Sequence, residues 1–228
     1  MDAQYTRLSL LIGESNLKKL SKKKVIVFGL GGVGGNCVDA LARSGVMNFT
    51  LVDSDTVNIT NINRQLIANL NTIGKNKVDM MEEHLLSINN EIKVTKLCLF
   101  YEKDDTSINF SKYDFVIDCI DTVSSKIAII EKCHKLGVPV ISALGCGNKM
   151  NPAEVEITDL SKTSYDPLAK VMRKELGLRG IKHVKVVYSK EQPIIRSDKK
   201  STIGSSAFVP PVAGIYIASE VIKDLINE

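Results

Sequence analysis

The sequence lacks a long apolar segment and a secretory signal. The longest uncharged stretch, residues 201–219, contains five serine or threonine residues and two adjacent prolines, which argues against a membrane span. No basic segment followed by an apolar core stands at the start, so we expect a cytoplasmic protein. With 228 residues, 44% hydrophobic and 25% charged, the chain has the composition of one globular domain, which excludes a disordered protein.

Closely spaced cysteines are also missing. The five cysteines stand at 37, 98, 119, 133 and 146, an odd number with no C-x-x-C pair. This pattern predicts no disulfide framework and no structural zinc site, and it agrees with a reducing compartment. Cys146 is interpreted as a small loop residue and the other four as buried apolar residues.

Arginine is scarce, and basic charge is concentrated in one segment. The chain has 6 arginines and 24 lysines, so we interpret the arginines as candidates for bidentate phosphate binding. Residues 151–200 hold 11 basic and 7 acidic side chains, and the rest of the chain is balanced. This segment predicts either an RNA-binding surface or an ordinary solvated surface. The candidate nucleic-acid contacts are Lys170, Arg173, Lys174 and Arg179, while Lys199 and Lys200 belong to the same segment.

The first 150 residues alternate short β-rich runs with helical periodicity, which predicts an α/β fold with a doubly wound, Rossmann-like, mostly parallel sheet. Five strands are expected at 25–29, 50–53, 92–97, 115–119 and 138–142, with a helix from 75 to about 90. Beyond residue 150 we expect an added strand at 154–157, a helix at 167–176 and a second added strand at 183–188. An irregular loop at 189–206 and a closing helix at about 211–226 follow. Asp166 is the expected N-cap of the helix at 167–176, and Gly177 its stop.

A glycine loop follows the first strand and opens a helix. Its glycines are Gly29, Gly31, Gly32 and Gly34. In this context the spacing provides a tight turn, backbone approach to phosphate and amides at a helix start that face an anion. Asp53 ends the next strand, 22 residues after Gly31, where a carboxylate can accept both ribose hydroxyls. The loop and Asp53 together predict a nucleotide site.

Downstream polar residues indicate which nucleotide chemistry is served. Asp55, Asn61, Arg64 and Gln65 follow Asp53 closely, and Lys75 and Lys77 stand at a helix start. A dinucleotide held for hydride transfer needs little charge beyond its two phosphates, whereas a triphosphate to be cleaved needs cations for the departing pyrophosphate. The cations favour ATP, although a solvated helix start would also explain the two lysines.

Two acidic residues follow the fourth strand. Asp118 and Asp121 are expected at the crevice outside the carboxyl ends of the sheet, where open α/β folds bind ligands. One of them is a candidate magnesium ligand. The alternative for Asp121 is the N-cap of the helix that begins near Val123.

Five motifs in register, GLGGVG, LVDSDTV, TNINRQ, GKNK and DCIDT, resemble the adenylating superfamily that includes ubiquitin-activating enzymes and the activators of molybdopterin and thiamine biosynthesis. They cover residues 7 to about 145. The segments TRLSLLIGE, DLSKTSYDPLAK, VVYSKE and GSSAFVPPVAG resemble more narrowly the bacterial tRNA threonylcarbamoyladenosine dehydratases, so the resemblance spans nearly the whole chain. It implies a single adenylating domain, 1–228, with a nucleotide-binding core at 1–150 and a substrate-facing extension with the closing helix at 151–228.

The resemblance also implies roles for individual residues. The four loop glycines would bind phosphate, Asp53 would hold the ribose, and Asp121 would coordinate Mg²⁺. Asp55, Asn61, Arg64, Gln65 and Lys77 would complete the ATP site. Arg7 would reach the γ-phosphate of the partner subunit's nucleotide, which implies a homodimer. Gly35 and Asn36 stand where many members have a serine after the glycine loop, so a phosphate-side hydroxyl is not supplied there.

The implied reaction is ATP-dependent adenylation of the threonylcarbamoyl carboxylate on a modified adenosine in tRNA, followed by cyclisation with net loss of water. Three alternatives stay open: activation of the C-terminus of a ubiquitin-like or sulfur-carrier protein, an NAD-dependent oxidoreductase, and a non-catalytic nucleotide-responsive module. The first typically uses a C-x-x-C zinc pair and a later cysteine, both of which the sequence lacks. The second assigns no role to Arg64, Lys77 or Asp121.

Overall fold

A seven-stranded sheet forms the centre of the computed structural model, which describes residues 3–194 and 203–227. The strand order is β3-β2-β1-β4-β5-β7-β6, and every neighbouring pair is parallel except β6 with β7. The strands are β1 Lys24–Phe28, β2 Asn48–Val52, β3 Lys93–Leu97, β4 Phe115–Asp118, β5 Val140–Ala143, β6 Val155–Asp159 and β7 Lys185–Ser189. The expected doubly wound α/β fold with C-terminal strand additions is confirmed.

Helices cover both faces of this sheet. They are α1 Thr6–Ile12, α2 Glu14–Leu20, α3 Gly34–Arg43, α4 Lys77–Ile88, α5 Val123–Leu136, α6 Pro167–Leu178 and α7 Val209–Asn227. Val25 and Val27 of β1 pack in one core with α3, α4 and α7, whereas Ile26 and Phe28 pack with α5 on the opposite face. The period of two along a buried strand therefore divides the core into two layers. No helix in the described ranges is long and apolar enough to cross a membrane.

The closing helix α7 packs closely against the start of α3. A β-carbon at Gly214 would lie 2.2 Å from the carbonyl oxygen of Val33, so only glycine permits this approach. The two prolines fall in the first turn of α7, where their missing N–H groups cost little. This packing places the start of α7 beside the glycine loop.

Two predictions concern helix α6, its N-cap at Asp166 and its end at Gly177. Asp166 is the N-cap of α6, because its Oδ1 accepts hydrogen bonds from the amides of Leu168 and Ala169 at 2.8 and 3.1 Å. The expected stop at Gly177 is wrong. The helix continues to Leu178, and the left-handed conformation that favours glycine occurs at Gly180, with φ of +77°. Part of the expected loop at 189–206 lies outside the described residues, namely residues 195–202, which include Lys199 and Lys200.

Candidate nucleotide-binding site

A cavity of about 930 Å³ opens where the carboxyl ends of β1, β2, β4 and β5 meet. The predicted site residues that line it are Gly29, Gly31, Gly32, Asp53, Asp55, Asn61, Arg64, Gln65, Lys77 and Asp121. Of the residues to which the resemblance assigns a role at the ATP site, Gly34 and Arg7 do not line it. Gly34 lies buried at the start of α3, and Arg7 is exposed on α1. The fold thus brings together residues spread over nearly a hundred positions of sequence.

The glycine loop has little room for side chains. Gly29 adopts φ of +86°, and a β-carbon there would lie 2.8 Å from the carbonyl oxygen of Cys119. A β-carbon at Gly34 would lie only 1.8 Å from the carbonyl oxygen of Gly29, so Gly34 shapes the turn beneath the cavity. Within the described part of the chain no side chain caps the N-terminus of α3. The Gly35 amide donates to the carbonyl oxygen of Gly31, and the helix start is otherwise open to an anion.

Asp53 connects the glycine loop to the segment that follows β2, and both border the cavity. Its Oδ2 accepts a hydrogen bond from the amide of Leu30 at 2.7 Å, and its Oδ1 accepts one from the amide of Asp55 at 2.8 Å. Burial raises the pKa of this carboxyl, while the nearby Lys77 ammonium and the two amides oppose the rise. The carboxylate is therefore fixed in one orientation, with lone pairs left for ribose hydroxyls.

Lys77 places a buried ammonium group in the cavity. It is the first residue of α4 and is 5% exposed, with Nζ 2.7 Å from Asp55 Oδ2 and 3.8 Å from Asp53 Oδ2. The Asp55 side chain is 66% exposed, so it can release the lysine to a phosphate at little cost. Lys75, by contrast, is exposed before the helix and does not line the cavity.

Arg64 lies directly against the glycine loop. A β-carbon at Gly32 would come within 3.2 Å of Arg64 Cγ, and the guanidinium donates to the carbonyl oxygen of Thr60 and to Asn63 Oδ1, both at 3.0 Å. Asn61 closes the same segment by accepting a hydrogen bond from the amide of Asn58. The segment is thereby held with the Arg64 side chain against Gly32 of the glycine loop.

Two buried polar atoms in the cavity wall have no hydrogen-bond partner among the described residues. They are Gln65 Oε1 and the hydroxyl of Tyr101, and these residues are 6% and 4% exposed. A buried polar group without a partner costs roughly 1–3 kcal/mol. Both residues line the cavity, and a nucleotide carries donors and acceptors of the kind these atoms lack. The residues present therefore fit such a ligand.

The two acidic residues after β4 have different environments. Asp118 is fully buried, pairs with Lys126 Nζ at 2.8 Å and accepts a hydrogen bond from Ser142 Oγ at 2.6 Å. Asp121 is exposed in the cavity wall, and no ion pair to it occurs within the described part of the chain. It does not cap α5, whose N-cap is Thr122. Of the two, Asp121 is the carboxylate that a ligand can reach.

Sequence reasoning missed several residues of the cavity wall. Tyr101, Lys149 and Asp166 all line it, and Lys126 lies just behind Asp118. The GCGN loop after β5 was a signal for Lys149, because it follows a strand at the same edge of the sheet as the glycine loop. Asp166 carried only the signal of an N-cap, although its Oδ2 also accepts a hydrogen bond from the amide of Gly145 at 2.9 Å.

The cysteines divide according to burial. Cys146 lines the cavity but is 7% exposed, and burial raises the pKa of its thiol to about 12, so the thiol stays protonated at neutral pH. This agrees with its interpretation as a small loop residue. Cys37 and Cys133 are buried as expected, and Cys119 is partly buried. Cys98 is exposed, which contradicts the expectation, because it stands just after the exposed edge strand β3.

The predicted nucleic-acid residues lie on or beside α6. Lys170 and Lys174 are exposed. The Arg173 guanidinium donates to the carbonyl oxygen of Thr163 at 3.0 Å, and that of Arg179 pairs with Glu175 at 3.0 Å. The two lysines are therefore better placed for phosphate contacts than the two arginines.

The model of the ThiF family matches residues 4–228. The chain belongs to the ThiF family. Over 99% of its length, this ThiF-family chain is 43% identical to the tRNA threonylcarbamoyladenosine dehydratase of Bacillus subtilis strain 168, of which it covers 95%. Its fold is similar to crystal structures of the Escherichia coli tRNA N6-threonylcarbamoyladenosine dehydratase at 32% identity. The AMP complex gives a TM-score of 0.92 over 100% of this chain and 96% of that one, and the ATP complex gives 0.89 over 98% and 94%.

Proposed function

We propose that this chain is an ATP-dependent tRNA threonylcarbamoyladenosine dehydratase. The observation that carries the proposal is one cavity in which a glycine loop, Asp53, Arg64 and Lys77 converge. Relatives similar over nearly the whole chain bear this activity in their names, and a related enzyme has been crystallised with ATP and with AMP. ATP and AMP are the substrate and the by-product that adenylation requires.

The first step activates the substrate carboxylate. A carboxylate oxygen attacks the α-phosphorus of ATP, the bond from that phosphorus to the bridging oxygen of the β-phosphate breaks, and pyrophosphate leaves with the electron pair. The loop amides and Asp53 position the nucleotide, while Arg64 and Lys77 stabilise the charge that develops on the departing pyrophosphate. These roles follow from where the side chains lie around the cavity.

The second step needs no protein nucleophile. A neighbouring group of the same modified nucleoside attacks the activated carbonyl carbon and loses a proton, and the carbon–oxygen bond to AMP breaks. The net change in the nucleoside is the loss of one water. Proximity within one substrate supplies much of the rate, and the protonated Cys146 thiol takes no part.

Mg²⁺ would be held by Asp121 together with the phosphate oxygens of ATP. An accessible carboxylate beside a triphosphate suits this ion, which typically takes one or two carboxylates and completes its shell with phosphates and water. No cluster of three or more acidic, histidine or cysteine side chains occurs in the described ranges. When bound, Mg²⁺ would supply charge neutralisation at the phosphates.

Further parts of the proposal concern the assembly and its surroundings. α1 buries none of its residues, and its Leu10 and Leu11 are 82% and 84% exposed, which supports a homodimer in which Arg7 reaches the partner subunit's nucleotide. Lys170 and Lys174 with Arg173 and Arg179 would contact the tRNA backbone. Because tRNA is the substrate, we place the reaction in the cytoplasm.

The alternative functions are less well supported. Activation of a ubiquitin-like protein through a cysteine would need a reactive thiol at the cavity. Burial raises the pKa of the two thiols that line it, Cys119 and Cys146, and the exposed Cys98 does not line it. Hydride transfer from a nicotinamide would give Arg64 and Lys77 no role at the cavity. A non-catalytic nucleotide sensor would bind ATP without consuming it.

The test incubates the protein with ATP, Mg²⁺ and tRNA that carries threonylcarbamoyladenosine, then measures the digested nucleosides by mass spectrometry. We expect a product lighter by one water that disappears when ATP is omitted. Lys77→Met should lose most of the product, and Lys75→Met, a matched control outside the cavity, should keep it. An unchanged nucleoside with the wild-type protein would contradict the proposal.

A further inference from the structure

A second side of the cavity contains a cation that ATP binding does not explain. This side is formed by residues 145–149 after β5, by the start of α6 and by residues 203–205. Lys149 lies here and is 3% exposed. Lys149 lines the same cavity as Lys77, and it follows β5, whereas Lys77 lies on the side of β2.

The two lysines are too far apart to serve the same phosphate. Lys77 pairs with the aspartates that follow β2, whereas Lys149 follows β5, and β1 and β4 lie between those strands. Neighbouring strands are about 4.8 Å apart, so three spacings separate the two sides by about 14 Å. Two different anionic groups are therefore needed to engage both cations.

The Lys149 ammonium has no carboxylate in direct contact among the described residues, and the charges of Asp166 and Glu191 act on it only from a distance. Nζ donates to the carbonyl oxygen of Ser189 at 2.7 Å, and no carboxylate lies within 4.0 Å of it among residues 3–194 and 203–227. An ammonium has three donors, so hydrogen-bonding capacity is left over. A buried cation without an anionic partner is costly, and burial lowers the pKa of this lysine.

The nearest acidic groups are occupied elsewhere. Asp166 accepts hydrogen bonds from three amides, those of Gly145, Leu168 and Ala169. Glu191 accepts them from the amides of Met150 and Asn151 at 2.8–3.1 Å. Both carboxylates hold the loop in place, and neither pairs with the lysine.

The loop that carries Lys149 is fixed on both sides. The Asn148 amide donates to the carbonyl oxygen of Gly204 at 2.7 Å, and the Gly204 amide donates to Asn148 Oδ1 at 2.6 Å. Asn148 adopts φ of +57°, a left-handed conformation that costs energy in a residue other than glycine. Such a strained, tied loop holds the neighbouring ammonium in one position.

We propose that Lys149 binds the carboxylate of the acyl substrate and holds it in the cavity for attack on ATP. This inference rests on the proposed function and adds a residue for the second substrate. Besides the nucleotide and the tRNA phosphates, the reacting carboxylate is the anionic group that the reaction brings into the cavity. It would occupy the remaining donors of the ammonium and compensate its charge.

The first test measures tRNA affinity in the absence of catalysis. Wild-type protein should bind tRNA with the free carboxylate about 10- to 150-fold more tightly than tRNA in which a carboxamide replaces it, the range for a charge-assisted hydrogen bond. In Lys149→Met this preference should fall to about 1, while the dissociation constant for ATP stays within about twofold. Lys149→Arg should recover part of the preference. Lys135→Met, at an exposed lysine of α5 outside the cavity, is the control and should leave the preference unchanged.

Other outcomes separate the possible failures. An undiminished carboxylate preference in Lys149→Met would overturn the inference, and so would an equal loss of ATP binding, because that loss indicates a purely structural lysine. Should the Met variant not fold, Lys149→Gln retains a donor for the Ser189 carbonyl oxygen without the charge and gives the same readout. If instead wild-type protein forms no dehydrated product, the proposed function itself fails.

Discussion

A buried ion pair behind the cavity gives a quantitative test of the structure. Lys126 and Asp118 are fully buried with their charged atoms 2.8 Å apart. Lys126 also donates to the carbonyl oxygen of Ile120 at 3.0 Å, and Asp118 accepts a hydrogen bond from Ser142. The pair therefore fixes the loop that presents Asp121 to the cavity.

Lys126→Met should destabilise the protein strongly, because it leaves the Asp118 charge buried without its partner. Breaking such a pair costs about 3–5 kcal/mol. For a chain of this size, 1 kcal/mol corresponds to about 2–4 °C, so the melting temperature should fall by roughly 6–20 °C. Lys126→Met combined with Asp118→Asn should recover part of the loss, since no uncompensated charge is then buried.

The assay is denaturant unfolding of these variants beside a control on the same helix. Lys135 pairs with Glu131 at 2.8 Å, but its side chain is 69% exposed, so Lys135→Met should cost only about 0.3–0.5 kcal/mol. Equal losses for Lys126→Met and Lys135→Met would refute the reasoning, as would a double variant that is as unstable as the sum of its single substitutions.

Three further perturbations test the cavity wall. Tyr101→Phe removes a buried hydroxyl that has no partner within the described ranges. It should raise the melting temperature of the free protein and weaken ATP binding about 2- to 10-fold. A lower melting temperature or tighter ATP binding in calorimetry would contradict this. Gly34→Ala should abolish ATP binding, since the new β-carbon would meet the carbonyl oxygen of Gly29 at 1.8 Å; Gly177→Ala, with open space around it, should bind normally and gain up to about 1 kcal/mol in unfolding experiments. The Cys146→Ala variant should keep its dehydratase activity, and iodoacetamide should label the exposed Cys98 in preference to Cys146. Loss of turnover in the Ala variant would instead indicate that the Cys146 thiol is catalytic.

Local patterns predicted the parts of the site that follow strands. Gly29 and Asp53 each stand directly after a buried run, and the carboxyl ends of parallel strands meet at one edge of a sheet. Lys77 was predictable for the same reason, because it is the first residue of a helix that begins at that edge. These inferences need only the spacing of a few residues and the handedness of the crossovers.

Other features depend on contacts between distant parts of the chain. Nothing near Lys126 indicated that this helix residue turns inward. Its partner Asp118 accepts the hydrogen bond from Ser142 only after β4 and β5 pair. The position of β7 between β5 and β6 is likewise a matter of long-range pairing. Gly177 was the expected helix stop, but α6 continues to Leu178, and Leu176 and Ile181 on either side of its end are buried in the same core cluster.

The central claim is that this cavity transfers AMP to a carboxylate carried by tRNA, and oxygen labelling tests it most directly. The carboxylate of the modified adenosine is prepared with ¹⁸O, and the AMP released during the reaction is analysed by mass spectrometry. Adenylation followed by cyclisation predicts one ¹⁸O in each AMP, because the attacking oxygen stays on phosphorus. Unlabelled AMP, or label found only in inorganic phosphate alongside ADP, would contradict the account.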